Sequence, residues 1–194
     1  MSRAKLALLI AIGASTALAG AASAGSTPTR AIIYQAFAST GKPAVHVTTT
    51  SRGHCAGGSA ATSRSDAWRC FAGNFVYDPC FSSSKAPGIV LCPVAPWTAS
   101  ATEVKLTARL SGANTGKPST SGHPWALATP SDKCVLATGA TRILDHLRAN
   151  YYCQTTKNVL WGFPSRKSEP WTIYSAPGTA SKLTRKVAVR VAWF

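Results

Sequence analysis

The chain has 194 residues with 21 Lys and Arg against 6 Asp and Glu, a net charge of +15. This charge favours anionic partners, whereas the absence of any zinc-finger or RNP-type signature argues against specific nucleic-acid binding. Apart from two near the N-terminus, the basic residues are spread from Arg30 to Arg190 without a run of five. A second interpretation, that the charge only keeps the protein soluble, therefore stays open.

The N-terminus has the three parts of an export signal. Arg3 and Lys5 precede an apolar stretch over residues 6–19, and Ala22-Ser23-Ala24 fits the small-x-small cleavage rule. The apolar stretch is shorter than the roughly 20 residues that span a bilayer. We expect a signal peptide over residues 1–24, no transmembrane segment after its cleavage, and a secreted or extracytoplasmic protein. Cleavage leaves 19 basic and 6 acidic residues, a net charge of +13.

The first half of the exported chain predicts a leader, a strand and one short helix. Residues 25–44 are expected to form a leader and a first element, helix or strand, and residues 45–194 a single domain. Val45–Thr50 is rich in β-branched residues and predicts a strand. A helix of about two turns is predicted to begin near Ser63, the N-cap, with Asp66 in its first turn and Gly73 as its stop.

The rest of the chain has the pattern of short strands separated by turns. In Glu103–Leu110 apolar and polar residues alternate, which predicts a strand with one solvated face. Residues 111–124 predict a long surface loop, and residues 143–147 fit either helix or strand. The other predicted strands cover residues 89–94, 125–129, 133–138, 150–154, 159–163, 171–175 and 187–193. The fold class predicted is mainly β: a single-domain antiparallel β-sandwich or barrel with one short helix, disulfide-stapled.

Six cysteines follow the export signal, which predicts disulfides in an oxidising compartment. They are Cys55, Cys70, Cys80, Cys92, Cys134 and Cys153. Fifteen pairings are possible. Short loops weakly favour pairing nearest neighbours, with Cys134–Cys153 the best supported pair because both lie on predicted strands. No closely spaced pair such as C-x-x-C is present, so no metal site is predicted.

No catalytic or cofactor motif is present, and we predict neither a catalytic residue nor a cofactor. Asp145-His146 and His123 could supply a base and its orienting partner, but no G-x-S-x-G motif supplies a nucleophile. Asp66, Asp78 or Glu103 could form a glycosidase pair only if folding brought two of them together, and nothing in the sequence indicates that it does. A surface or capping role is the simpler interpretation of each histidine.

Tryptophan and basic residues supply the candidate ligand-binding groups. Trp125, Trp171 and Trp193 lie in apolar strand contexts and are expected in the core. Trp97 is the best candidate for an exposed ring, and Trp161, beside Gly162, is the second. The densest basic group near the C-terminus contains Lys182, Arg185 and Lys186.

Several spaced elements together resemble small secreted proteins of actinobacteria. They are Asp66-Ala67-Trp68-Arg69-Cys70, Gly73-Asn74, Asp78-Pro79-Cys80-Phe81, Pro124-Trp125-Ala126-Leu127, Cys134, Gly139-Ala140-Thr141, Asn150-Tyr151-Tyr152-Cys153, Leu160-Trp161-Gly162 and Pro170-Trp171. The resemblance covers about residues 52–194. It implies an exported domain with the same cysteine framework, and it carries no activity with it.

Three functional hypotheses follow. The first is an exported basic binding module at the cell envelope or outside the cell, whose partner is an anionic cell-wall polymer, a glycan or another protein. The second is an envelope hydrolase using Asp145, His146 or His123. The third is a structural or inhibitory domain whose function is its rigid shape.

Overall fold

The computed structural model describes residues 27–194, so the predicted signal peptide lies outside the described residues. Within residues 27–194 the chain forms fourteen β-strands and no helix. The strands are β1 (Arg30–Ile32), β2 (His46–Gly58), β3 (Ala67–Ala72), β4 (Phe75–Ser82), β5 (Ile89–Cys92), β6 (Ser100–Leu106), β7 (Ala126–Ala128), β8 (Lys133–Leu136), β9 (Ile143–Leu144), β10 (Leu147–Cys153), β11 (Asn158–Ser165), β12 (Thr172–Pro177), β13 (Lys186–Ala188) and β14 (Val191–Trp193). The predicted mainly-β class is confirmed.

Strands β2 to β6 form a closed five-stranded barrel. Each strand runs antiparallel to the next, so an odd number of strands leaves the first and last running in the same direction. The barrel accordingly closes through a parallel β2–β6 pair, which places Ser51 beside Val104. Closure leaves no unpaired strand edge in this unit.

Two disulfides fill much of the barrel interior. Cys55–Cys70 joins β2 to β3, and Cys80–Cys92 joins β4 to β5. Cys70, Cys80 and Cys92 are at most 1% exposed and pack with Trp68, Val90 and Val104. The small barrel thus encloses disulfides where a larger domain has aliphatic side chains.

The predicted helix near residues 63–72 is wrong, because this segment is strand β3 of the barrel. Trp68, Cys70 and Ala72 are buried, whereas Arg69 and Phe71 are only partly buried on the opposite face. This alternation has the two-residue period of a strand. Gly73 does end the segment with a positive φ of 58°, but it does so in the turn of the β3–β4 hairpin.

The second unit is a nine-stranded sheet that curls back on itself. Its strand order is β1-β14-β7-β8-β10-β11-β12-β13, with β9 paired to β10. Residues 186–193 run almost continuously through β13, which pairs with β12, and β14, which pairs with β1 and β7. This segment therefore supplies the strand at one end of the sheet, β13, and the strand next to the other end, β14. Of its neighbouring pairs, only β1–β14 is parallel.

The concave side of the curled sheet buries a cluster of large side chains and the third disulfide. The cluster consists of Leu127, Cys134, Tyr151, Leu160, Ile173, Val189, Ala192 and Phe194. Cys134–Cys153 joins directly opposed positions of β8 and β10. The structure has nearest-neighbour pairing for all six cysteines.

The two units share a hydrophobic cluster to which the N-terminal segment contributes. Phe81 and Leu91 of the barrel pack with Trp125 and Trp193 of the sheet region, and Tyr34 lies between the units. The part of the predicted leader that follows Thr29 therefore belongs to the core. It forms β1 and then buries Tyr34, Ala36 and Phe37.

Arg64 is buried at the same junction and hydrogen-bonds groups from distant parts of the chain. Its guanidinium donates to the carbonyls of Tyr34 (2.8 Å) and Phe194 (2.9 Å) and forms a bidentate pair with Asp66. It also lies 4.7 Å from the ring centroid of Phe81. This side chain, only 3% exposed, joins the N-terminal segment, the barrel and the C-terminal strand.

The remaining sequence predictions compare well with the strands. The loop predicted over residues 111–124 contains no strand, and residues 143–147 form β9 and the turn that leads into β10. Trp125 and Trp193 are buried as expected, and Trp171 is partly buried. Residues 27–194 contain no helix that is long and apolar enough to cross a membrane.

Candidate functional site

Trp97 lies on a tight turn between β5 and β6, at the boundary of the two units. The turn is closed by hydrogen bonds from the Thr98 amide and hydroxyl to the Ala95 carbonyl, of 3.3 and 2.9 Å. The indole packs against Trp193, with 5.4 Å between ring centroids. Packing on Trp193 and the neighbouring core leaves the Trp97 ring partly buried, so it is less exposed than the sequence prediction of an exposed ring implies.

A cavity of about 420 Å³ lies beside this ring, and we call it the Trp97 groove. It is lined by Trp97, Ala128, Thr129, Pro130, Ser131, Asp132, Lys133, Gln154 and Thr155. One wall comes from the barrel connection and the other from the β7–β8 hairpin of the curled sheet. Its volume falls within the range of small-ligand sites, roughly 300–1,000 Å³.

Asp132 organises the floor of the groove. Its carboxylate accepts hydrogen bonds from the backbone amides of Lys133 (2.8 Å), Thr155 (3.0 Å) and Thr156 (2.6 Å), and from the Thr156 hydroxyl (2.6 Å). Burial opposes ionisation of this carboxyl, but the four donors outweigh it and lower the pKa of Asp132 to about 2. The β7–β8 turn and the β10–β11 turn are thereby joined.

Each polar side chain left free in the groove can donate a hydrogen bond. The ammonium of Lys133 lies 5.8 Å from the ring centroid of Trp97, within the range of a cation–π contact. Gln154 and the hydroxyls of Ser131 and Thr155 are exposed beside it. Because the Asp132 carboxylate is already occupied by four donors, the free polar groups suit a ligand rich in acceptors.

A second basic residue lies on the same side of the sheet. The register aligns Arg30 of β1 with Val191, Ala128 and Lys133 across β14, β7 and β8. Residues in one such row project from the same face. Arg30 and Lys133 therefore both project from the sheet face that carries Trp193 two residues along β14.

The other predicted ligand-binding residues do not contribute to this groove. Trp161 is completely buried against Ala149 and Val159, so neither face of its ring is open to a ligand. Its ring fills the core because the strand β11 carries it inward. Lys182, Arg185 and Lys186 are exposed on the β12–β13 connection and β13, where the Lys186 ammonium lies 4.8 Å from the Tyr174 ring centroid.

The candidate catalytic groups lie in separate loops. Asp145 and His146, with φ values of 48° and 63°, form the two-residue turn of the β9–β10 hairpin, and Asp145 accepts a hydrogen bond from the Leu183 amide. His123, in the loop over residues 111–124, stacks on Phe163 with 3.5 Å between centroids. Burial, and then the positive charge of Arg166, lower the pKa of His123. The turn and stacking contacts give each of these side chains a structural role.

The sulfur atoms of Cys70, Cys80 and Cys92 lie within 4.8 Å of one another. Each belongs to a disulfide, so none offers the thiolate that a metal ion or a nucleophilic mechanism requires. Their proximity reflects the packing of two disulfides inside one narrow barrel.

Another cavity, of about 950 Å³, is lined by Ser82, Ser83 and Ser84. Leu106, Leu110, Arg109 and Asp66 also line it, and Asp66 is held there by Arg64. A neighbouring cavity of about 600 Å³ shares the three serines. No aromatic ring lines the larger cavity, which distinguishes it from the Trp97 groove.

Lys133, Gln154 and Asp132 were not predicted as site residues from the sequence. Pro130-Ser131-Asp132 was identifiable only as a turn, and Lys133 and Gln154 are twenty or more residues apart from one another and from Trp97. They come together because Cys134 and Cys153 are opposed in the β8–β10 pair, which places Lys133 next to Gln154.

Comparisons with known proteins give no relative for this chain: no protein-family model, no curated protein and no solved structure matches it.

Proposed function

We propose that the protein is an exported, non-enzymatic module that binds an anionic glycan at the cell envelope or outside the cell through the Trp97 groove. The observation that carries the proposal is the pairing of a supported, partly exposed indole with the Lys133 ammonium 5.8 Å from its centroid. A saccharide ring offers an apolar face to stack on an indole, and a carboxylate, sulfate or phosphate substituent offers acceptors to Lys133.

The charge distribution supports an anionic partner. Residues 27–194 contain 19 basic and 6 acidic side chains, and the single salt bridge within this range is Arg64–Asp66. Five carboxylates accept hydrogen bonds from their own chain. They are Asp66, Asp78, Asp132, Asp145 and Glu169. The acidic groups are thus occupied internally, while most cations face solvent without a carboxylate partner.

The exposed cations are spread over both units, from Lys42 and Arg52 to Lys157 and Lys182. Such a spread attracts polyanions without selecting a point of contact. The Trp97 groove determines where the ligand binds, because it combines a fixed aromatic ring with hydrogen-bond donors on the β7–β8 and β10–β11 turns.

The preference for a binding module over an envelope hydrolase follows from the same contacts. In the Trp97 groove the one carboxylate has four donors and a pKa of about 2, so it is unsuited to act as a general acid or base near neutral pH. Asp145 and His146 are occupied in a hairpin turn. The preference for an oxidising, extracytoplasmic location rests on the export signal and the three disulfides.

The proposal is tested by measuring binding to a soluble uronic-acid polysaccharide by calorimetry, with an uncharged glucan of similar length as the comparison. We expect binding to the uronate alone, weakening steeply from low ionic strength to about 0.15 M. Trp97→Leu should weaken it more than about tenfold, as loss of a central aromatic contact does, and Lys133→Gln by several-fold.

Two matched variants provide the controls. Lys157→Gln removes one exposed cation outside the groove, and Trp171→Leu removes one partly buried indole elsewhere; both should bind within about twofold of the unaltered protein. Thermal unfolding verifies that Trp97→Leu is folded. Binding that is insensitive to salt, or equal losses in the groove and control variants, would refute the proposal.

A further inference from the structure

The tip of the β3–β4 hairpin is apolar and projects into solvent. Seven consecutive residues, Phe71 to Tyr77, contain three aromatic residues and no charge. Gly73 and Asn74 form the turn between the strands, and the next residues are open to solvent: Phe75 is 67% and Val76 is 51% exposed. We call residues 71–77 the hairpin tip.

Both faces of the hairpin tip carry apolar side chains. Val76 is in register with Phe71, which stacks on His54 with 5.5 Å between ring centroids on the outer surface of the barrel. Phe75 is in register with Ala72, which is only 4% exposed on the inner surface, and lies 6.1 Å from Tyr77. Successive strand residues project to opposite faces, so Phe75 and Val76 point away from each other.

This arrangement suits a medium that surrounds the tip on both sides. A protein docked on the barrel would cover one face of the hairpin and leave the other in water. A lipid headgroup and acyl boundary would cover Phe75 and Val76 together, as it does the apolar residues of other interfacial anchors.

Cations without a carboxylate partner lie beside the tip, on the next two strands of the barrel. Arg52 of β2 and Lys105 of β6 are register partners in the parallel pair that closes the barrel. Both are exposed, and neither takes part in the one salt bridge of residues 27–194. Arg52 is two residues from His54 and therefore projects from the face that carries Phe71 and Val76.

We propose that the protein binds the surface of anionic phospholipid bilayers by inserting the hairpin tip, with Arg52 and Lys105 at the level of the headgroups. Exposed apolar side chains supply the contact with the acyl boundary, and the two cations supply attraction to the negative surface. This site is separate from the Trp97 groove and does not depend on glycan binding.

The test is sedimentation of the full exported chain with vesicles of phosphatidylglycerol and phosphatidylcholine in equal parts, compared with vesicles of phosphatidylcholine alone. We expect partition onto the anionic vesicles only. The double variant Phe75→Ser/Val76→Ser should lose at least about tenfold in partition coefficient, since two exposed apolar side chains leave the boundary. Arg52→Gln and Lys105→Gln should each lose about fivefold.

Matched controls distinguish insertion of the hairpin tip from general electrostatic attraction and from binding through the Trp97 groove. Ile143→Ser removes a side chain that is 70% exposed on another hairpin, and it should partition within twofold of the unaltered protein. Trp97→Leu should also be unchanged on vesicles. Adding anionic vesicles should shift the tryptophan emission of Phe75→Trp to shorter wavelength by more than it shifts the emission of the unaltered protein. Vesicles of phosphatidylcholine alone should cause no such shift.

The result that overturns the proposal is absence of partition onto anionic vesicles at low salt. Partition that is equal for Phe75→Ser/Val76→Ser and Ile143→Ser overturns it as well, because attraction would then be electrostatic and would not involve the tip. Far-ultraviolet circular dichroism and thermal unfolding verify that the tip variants retain the barrel. These results are independent of whether Trp97→Leu loses uronate binding.

Discussion

Asp132→Asn is expected to destabilise the protein at neutral pH and to do so less in acid. The folded carboxylate accepts four hydrogen bonds, and the pKa is lowered from the ordinary 3.8 to about 2. A lowering of this size corresponds to about 2 kcal/mol of stability at pH 7. The asparagine side chain places an N–H₂ group against N–H and O–H donors that hydrogen-bond to the carboxylate in the unaltered protein. The loss in unfolding free energy should therefore be at least as large.

The sign of the pH dependence follows from a lowered folded-state pKa. The stabilisation by Asp132 is complete above the unfolded pKa near 3.8 and is lost as the pH falls through that value toward 2. About half of it, roughly 1 kcal/mol, should be gone by pH 3. The difference in unfolding free energy between the unaltered protein and Asp132→Asn should shrink accordingly.

Urea denaturation followed by tryptophan fluorescence at pH 7, 5, 4 and about 3 measures this difference. Ser131→Ala, at the neighbouring exposed position, is the matched control and should show a small difference that does not vary with pH. If Asp132→Asn is as stable as the unaltered protein at pH 7, the four hydrogen bonds to the carboxylate do not stabilise the fold. If the destabilisation stays constant from pH 7 to about 3, it does not come from the lowered pKa of Asp132.

Three further predictions concern stability and titration. Replacing Cys134 and Cys153 together by Ala opens a loop with a sequence separation of 19 and should cost about 3 kcal/mol in the unfolding free energy by the chain-entropy model; an unchanged denaturation midpoint would contradict this. Arg64→Met should lower the unfolding free energy by about 3 kcal/mol or more, because two buried carbonyls and Asp66 lose their hydrogen-bond donor. Its denaturation midpoint should fall well below that of an Arg109→Met control. Arg166→Gln should raise the pKa of His123 in an NMR titration while leaving it below 6.5, since burial still lowers it; no change would show that the guanidinium does not act on the imidazole.

The strand content was predictable because it depends on local patterns, and a local pattern also favoured the observed cysteine pairing, though only weakly. Turn residues at short intervals predict short strands, and short loops favour joining neighbouring cysteines. In the structure those cysteines are opposed on adjacent antiparallel strands, which is the geometry that a short loop produces most easily.

The helix prediction failed because it relied on helix-capping residues, whereas the burial of the side chains between them alternates with a period of two residues. Ser63, Asp66 and Gly73 are typical of helix ends, but the side chains between them alternate between the barrel interior and its surface. Pairing of β3 with both β2 and β4 supplies backbone hydrogen bonds along both of its edges. A two-turn helix lacks such tertiary support.

The candidate site was predictable only in part. Trp97 was identifiable because prolines and polar residues surround it. Trp161, proposed because it lies beside Gly162, is instead buried by the pairing of β11 with β10 and β12. The approach of Lys133 and Gln154 to Trp97 depends on how the two units pack. Sequence periodicity contains no information about contacts between separate sheets.

The most direct measurement of glycan binding is a ¹H–¹⁵N NMR titration with a short uronic-acid oligosaccharide. If the Trp97 groove binds the glycan, the indole N–H resonance of Trp97, assigned by its loss in Trp97→Phe, should shift together with the amides of Ser131, Lys133 and Gln154. Shifts confined to the serine-lined cavity beside Ser82–Ser84, or an unmoved Trp97 indole at saturating ligand, would show that the glycan does not bind in this groove.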